Sequence, residues 1–305
     1  MNAIPCIVCG SVRFDPRFTA MRDFEYGLGA PGTHLTCCLD CNLIRQDPMP
    51  SREELATFYQ DEYANIRNEE HPLMRILVEL YYRRLASFFR NMVGEKGEIL
   101  DVGCSTGHLI GQLARFEPNW TLRGVEPHPK AVEIARSKGR EVLEGTLQSI
   151  DLPPESQDLI ILSHVIEHLT DPVEVLQRIR ELLRPGGQLY VETPNTACVD
   201  LRLFGRYWGG HHYPRHTYLF SRDNLARLLT REGFKVVQTL STLHIFGWAL
   251  SVQNLLVDRI GLQVHNGRAP FYAPLALLSL PLVLLQKGLG QAAGMGIVAQ
   301  KDKTK

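Results

Sequence analysis

Three clusters of residue types in this 305-residue chain could carry chemistry. The first is Glu98-Ile-Leu-Asp-Val-Gly-Cys-Ser-Thr-Gly-His108. An apolar strand ends in Asp101, turns through Gly103 and Gly107, and enters a helix. Glycines let backbone approach a ligand closely, and a helix N-terminus offers unpaired N–H groups. Gly103 to Gly107 is G-x-x-x-G, so the dinucleotide fingerprint G-x-G-x-x-G is not met, and no Gly-Lys-Ser/Thr follows for a phosphate loop. Asp101 on the turn disfavours a phosphate and favours a cationic ligand. The next strand ends in Val125-Glu126-Pro127, where a carboxylate is placed to accept both hydroxyls of a ribose. Together these features suit a cationic nucleoside without phosphates.

The second cluster is Cys6-Ile-Val-Cys9 and Cys38-Leu-Asp-Cys41, two C-x₂-C knuckles 28 residues apart. Four thiolates so paired suit one structural Zn²⁺ in tetrahedral coordination. Cys37 competes with Cys38, but the spacing favours Cys38. The third is His164-Val-Ile-Glu-His168, which spells H-x-x-E-H. In a zinc protease that pattern needs a regular helix. Here it directly follows the apolar run Leu159–Ser163, with Thr170-Asp171-Pro172 starting the next helix, so about one turn fits between them. The sequence therefore reads this as a decoy, with His168 satisfied by neighbouring backbone.

The elements that must position these groups follow from rhythm. Over residues 98–240, apolar runs (Glu98–Gly103, Leu122–Glu126, Val142–Gly145, Leu159–Ser163, Leu189–Glu192, Val236–Leu240) alternate with amphipathic stretches of helical period. Such alternation means βαβ units and a parallel sheet covered on both faces. Residues 1–46 form a zinc-ribbon module and 47–97 a helical linker or cap, opened by a Ser51/Glu54 capping box. Residues 241–292 are an apolar helical insertion, and 293–305 supply a last core strand, Gly296–Gln300, with a polar tail. The formal charge is zero, 33 basic against 33 acidic residues, which argues against bulk nucleic-acid binding. With 22% charged residues and 44% apolar ones, disorder is excluded as the main state. The first residues lack the basic and apolar regions of a secretory signal. The expected location is cytoplasmic, so the seven cysteines read as thiols or ligands rather than disulfides.

Asp101–Gly107, Glu126, the strand Asp158-Leu-Ile-Ile-Leu-Ser-His164 and Leu182-Leu-Arg-Pro-Gly-Gly-Gln-Leu with Thr193-Pro-Asn195 resemble, in order, class I S-adenosylmethionine-dependent methyltransferases. Within them the chain is most similar to the branch containing ubiquinone-biosynthesis O-methyltransferases. The resemblance implies a Rossmann-like α/β fold, seven strands in a mostly parallel sheet with the last strand antiparallel, beside the small zinc ribbon. It implies S-adenosyl-L-methionine as methyl donor, held by Asp101, Gly103, Cys104, Ser105, Gly107, Glu126, Pro127, Leu147, Ser163 and His164. Ser105 departs from the family's usual glycine. After the third strand the usual Asp is missing, which leaves the Leu147 backbone N–H as the expected adenine contact, with Gln148 and Ser149 as substitutes. The N-terminal cysteine module before such a core also resembles sugar C-methyltransferases that act on nucleotide-linked deoxysugars.

From Leu201 to Arg227 the chain carries five arginines, one aspartate and three histidines. Arginines grip phosphates and carboxylates bidentately, and Tyr207 and Trp208 are placed to stack on a sugar. Tyr213 and His216 match a Tyr and a His of the sugar C-methyltransferase motif, whose middle is not matched here. His216 is expected as general base, with Tyr213 or His212 assisting. Ala269–Gln286 runs 18 residues without a charge, expected as a buried cap or as a membrane-surface contact. The expected activity is methyl transfer to a small anionic acceptor, a saccharide or nucleotide-sugar. The alternatives are a quinone-like or lipid-linked acceptor, or a non-catalytic cofactor-binding or zinc-ribbon interaction protein.

Overall fold

The cysteine knuckles shape the N-terminus first. Strands β1 (Phe14–Phe18), β2 (His34–Cys38) and β3 (Ile44–Asp47) form an antiparallel sheet, followed by helix α1 (Arg52–Thr57). Ser51 and Glu54 make the capping box read from the sequence: Ser51 Oγ accepts from the Glu54 N–H, and the Glu54 carboxylate from the Ser51 N–H. A 22-residue helix, α2 (Pro72–Val93), leads into the core. The structure, a computed structural model, describes residues 4–19, 21–28, 33–59, 72–265 and 267–302. Residues 29–32 of the ribbon module and 60–71 of the linker lie outside these, as do the side chains of residues 72–77.

The core then alternates as expected: β4 (Gly97–Val102), α3 (His108–Phe116), β5 (Trp120–Glu126), α4 (Pro129–Ser137), β6 (Val142–Glu144), β7 (Gln157–Ser163), α5 (Pro172–Leu182) and β8 (Leu183–Pro194). After these come α6 (Val199–Phe204), the two-residue β9 (Tyr218–Leu219), α7 (Arg222–Arg231) and β10 (Phe234–Thr242). Helices α8 (Gly247–Ile260) and α9 (Tyr272–Gly288) precede β11 (Gly294–Lys301). The main sheet has seven strands in the order β10-β11-β8-β7-β4-β5-β6. β11 runs antiparallel to both β8 and β10, so the last strand inserts beside the sixth core strand, as the resemblance implies.

Buried strands covered on both faces must be apolar at successive positions. Ile99, Leu159 and Ile161 pack with Phe89, Leu113 and Trp120 on one side, while Leu100, Ile160 and Leu162 pack with Leu176, Ile179 and Leu228 on the other. The ribbon joins this second face, where Cys6, Val8 and Leu43 share the same apolar cluster. Asp158 Oδ2 ties three strands by accepting from the Glu98 N–H at 2.8 Å and Arg184 Nη1 at 2.5 Å.

Sequence rhythm did not foresee how tightly the ribbon is joined to the core. Its sheet takes a fourth strand from the core: β9 pairs with β3, Ile44 opposite Leu219 and Arg45 opposite Tyr218. Gln46 Nε2 donates to the carbonyls of Pro214 (2.6 Å) and His216 (2.9 Å). Arg215, with a side chain 1% exposed, reaches Asp23 and Glu25, both at 3.3 Å, and lies over the Tyr26 ring. Burial lifts the Asp23 carboxyl above its ordinary range against the pull of Arg215. His212 and Arg215 hold Glu25 below its own despite burial.

In the insertion, α9 turns Ala276, Ser279, Val283 and Gln286 inward. Gln286 bridges the elements beneath it, donating to Asp200 Oδ1 (2.7 Å) and accepting from Trp248 Nε1 (3.3 Å). Among the described residues no helix is long and apolar enough to cross a membrane.

Removing one member of a buried ion pair strands its partners without compensation, at a cost of about 3–5 kcal/mol. Arg215→Met is therefore expected to destabilise the protein by about that much. The check is the shift in urea midpoint, with Arg231→Met on the exposed face of α7 as a control changing stability by less than about 1 kcal/mol.

Candidate functional site

The turn after β4 holds the backbone in left-handed conformations at three points: Gly103 (φ 70°), Ser105 (φ 49°) and Gly107 (φ 67°), the last being the N-cap of α3. A side chain at Gly103 would press a Cβ to 2.7 Å from Val165, so glycine is required there both by conformation and by space. Ser105 has no such freedom, and its strain is held by Glu126 at the end of β5. The Glu126 Oε2 accepts from the Ser105 N–H at 2.8 Å, and Oε1 from the His128 N–H at 2.9 Å. That carboxylate thus faces the glycine turn in a fixed orientation. Cys104 is buried, its sulfur filling the space left by Gly124 on β5. Asp101 is buried too, and burial together with the neighbouring Glu126 pushes its carboxyl up to about 8. Pro127 lies exposed beside Glu126, and the Leu147 side chain turns into the core, so only its backbone can face a ligand there.

On the other side of β7, Ser163 ends the strand and His164 adopts φ 55°, a strained value for a non-glycine residue. The chain then makes one 3₁₀ turn, Ile166–His168. Glu167 is fully buried: Oε1 meets His164 Nδ1 at 3.2 Å, and Oε2 has no hydrogen-bond partner. Glu167 lifts the His164 imidazole above its usual value against the desolvation of the site.

Of the three expected catalytic residues, His216 is the one brought to this turn. It is 6% exposed, its ring centroid lies 4.5 Å from that of His168, and its Nδ1 meets the Gly210 carbonyl at 2.9 Å. Burial, then the neighbouring His168 and His212, keep it well below its usual pKa and hence neutral. Tyr213 instead sends its hydroxyl to Thr33 and packs with Leu35 and Trp208. His212 Nε2 contacts Glu25 at 3.2 Å while its Nδ1 accepts from Arg215 Nε. Trp208 is 1% exposed, so the sugar-stacking expected of it is corrected: its ring fills core against His211. The expected arginine cluster also divides, since Arg215 is committed to Asp23 and Glu25.

The four ribbon cysteines converge. Cys6 Sγ lies 3.5 Å from Cys41 Sγ, and Cys9 Sγ 3.5 Å from Cys38 Sγ, with all four ligand atoms within 4.8 Å of one another. The edge of a tetrahedron of thiolates about 2.3 Å from zinc is about 3.8 Å, so the donor set fits that ion. Cys37 is not in the group and turns its sulfur to the Cys38 carbonyl.

Three residues of consequence were not singled out from the sequence. Glu167 lies inside H-x-x-E-H, and Tyr59 of the linker reaches His168 Nδ1 with its hydroxyl. Arg215 was counted among the substrate-facing arginines. In each case the partner lies far along the chain.

A family model described as a methyltransferase domain matches residues 74–239, from within α2 into β10. A Mycolicibacterium smegmatis protein named "Probable S-adenosylmethionine-dependent methyltransferase" is 30% identical over 180 residues, which is 56% of this chain and 63% of that one. The ubiquinone biosynthesis O-methyltransferase of Cereibacter sphaeroides is 25% identical over 183 residues, 55% of this chain and 73% of its own. Among solved structures, that of the 4+2 cyclase SpnF superposes with a TM-score of 0.52 at 16% identity, covering 82% of this chain and 93% of the other, a likeness of fold alone. The matched segment supplies the sheet strands other than β11, the glycine turn and Glu126, and the chain belongs to the methyltransferase domain family.

Proposed function

We propose that the protein is an S-adenosylmethionine-dependent methyltransferase acting on a small molecule. The observation that carries the reading is the glycine turn locked to the Glu126 carboxylate, with Asp101 buried beneath it and no phosphate-loop lysine. Bound S-adenosylmethionine supplies an electrophilic methyl group on a sulfonium. Glu126 would hold the ribose hydroxyls, the turn from Gly103 to Gly107 would accommodate the amino-acid end, and the Leu147 backbone would meet the adenine. Asp101 would answer the donor's positive charge. Ser163 and His164 would flank its methionine end.

On the acceptor side, His216 is the group offered to take a proton. Its Nδ1 faces a carbonyl, which can only accept, so Nδ1 carries the hydrogen and Nε2 keeps the lone pair. Tyr213 and His212 position the loop that carries it rather than contacting the acceptor. The relatives named as O-methyltransferases support a hydroxyl acceptor such as a phenol. The anionic saccharide reading retains Arg206, which lines the cleft between Met21–Glu25 and Arg206–Tyr213 beside Arg22, itself paired with Asp258 at 2.6 Å. The cysteine cluster holds a structural Zn²⁺ that stiffens this wall. Exposed Leu277, Leu278 and Leu285 on α9 support contact with a membrane surface bearing a lipid-linked acceptor.

The test is methyl transfer from labelled S-adenosylmethionine across phenols and nucleotide-sugars; failure to bind the donor at millimolar concentration would overturn the reading. Glu126→Ala should weaken donor binding roughly ten- to hundredfold, the loss of one or two charge-assisted hydrogen bonds, measured by calorimetry. Asp101 gives a second expectation. Its carboxyl is largely protonated below about 8 in the free protein, and a nearby cation favours the carboxylate. Binding at pH 7 should release a proton, and affinity should rise with pH towards 8. Calorimetry in buffers of different ionisation enthalpy detects that proton, and Asp101→Asn should abolish it.

A further inference from the structure

Glu167, His168 and His216 each bring one ligand atom within 4.8 Å of the other two. They come from two segments almost 50 residues apart, joined where Thr217 donates to the carbonyls of Glu167 (3.0 Å) and Leu169 (2.7 Å). Proximity alone does not make a site, but two independent features point to a cation. The first is Glu167 Oε2, which is fully buried without a hydrogen-bond partner. An unpaired buried carboxylate oxygen is costly unless a cation or proton answers it. The second is the arrangement of the imidazoles. His168 Nδ1 meets the Arg215 carbonyl at 3.2 Å, and His216 Nδ1 meets the Gly210 carbonyl at 2.9 Å. The Gly210 carbonyl only accepts, so His216 Nδ1 carries its hydrogen and its Nε2 presents a lone pair, while His168 Nδ1 is shared between the Arg215 carbonyl and the nearer Tyr59 hydroxyl at 2.5 Å. This is how the groups behind a metal site fix the ligating tautomer of histidine. His164 plays the same supporting part for the carboxylate by holding Glu167 Oε1.

We infer that Glu167, His168 and His216 form a second metal site, separate from the four cysteines, for a divalent first-row transition cation. Two neutral imidazoles and one carboxylate suit zinc, iron or manganese and leave coordination positions open. Contraction of the three ligand atoms to the separation demanded by bonds of about 2.0–2.2 Å is the one rearrangement required. Resting on the methyltransferase reading, the open position is where an acceptor oxygen would bind as its oxyanion; with the cation bound, His216 Nε2 is a ligand and the acceptor's proton leaves to solvent before the methyl group arrives, whereas in the metal-free protein His216 is the base described above.

Metal content tests this without either substrate, so failure here leaves the methyl-transfer reading standing. The full chain is stripped with chelator, loaded with excess Zn²⁺, gel-filtered and analysed for zinc per protein. Glu167→Gln, which preserves shape, and His216→Ala should each hold one equivalent fewer than the wild type. Reloading with Co²⁺ separates the sites, since thiolate-to-metal absorption reports the cysteine cluster and should be unchanged in both variants. Should His216→Ala fail to fold, Glu167→Gln decides alone. Equal zinc content in the wild type and the folded variants overturns the proposal.

Discussion

The architecture on the acceptor side hangs on one buried guanidinium. Arg215 cannot lie in the interior without compensation, because a desolvated charge costs several kcal/mol. Its partners, Asp23 and Glu25, belong to the N-terminal module, almost 200 residues away in sequence. The pairing therefore fixes the ribbon against the loop Gly205–Thr217, and everything that loop carries inherits its place. His216 follows Arg215 directly, its carbonyl is held by Gln46 of β3, and Thr217 locks onto the 166–168 turn. The ribbon is thus a wall of the site and not an appendage. The formal neutrality of the chain conceals this, since the local charge that matters is balanced inside.

What could be read from the sequence divides along contact distance. The cofactor half was legible because its determinants are short-range. Asp101, Gly103, Ser105 and Gly107 lie in one turn, and Glu126 ends the adjacent parallel strand, as the β-α-β rhythm requires. The strand order with β11 between β8 and β10 was equally legible, through the motifs that carry the family resemblance. The acceptor half was not, because its residues meet through tertiary contacts that no local period encodes. Nothing in Tyr-Pro-Arg-His discloses that the arginine faces inward. Trp208 and Arg215 have the composition of a substrate-binding loop, yet both are fully buried. The two-residue strand β9 is too short to give any pattern, and it is the strand that joins the two sheets.

The H-x-x-E-H segment shows why spacing needs a backbone before it means anything. On an α-helix, residues four apart share a face, so His164 and His168 would converge. Here His164 sits in a left-handed conformation at the end of β7, and only one 3₁₀ turn follows. The two histidines cannot act as a helical pair, and the zinc-protease arrangement does not form. The same backbone break has a second effect. It leaves Glu167 buried between them, with His164 gripping one oxygen and the other without a hydrogen-bond partner. The motif fails as a helix and succeeds as half of a cluster whose other half is His216. A segment discarded on local grounds becomes chemically meaningful once Arg215 and Thr217 have delivered its partner.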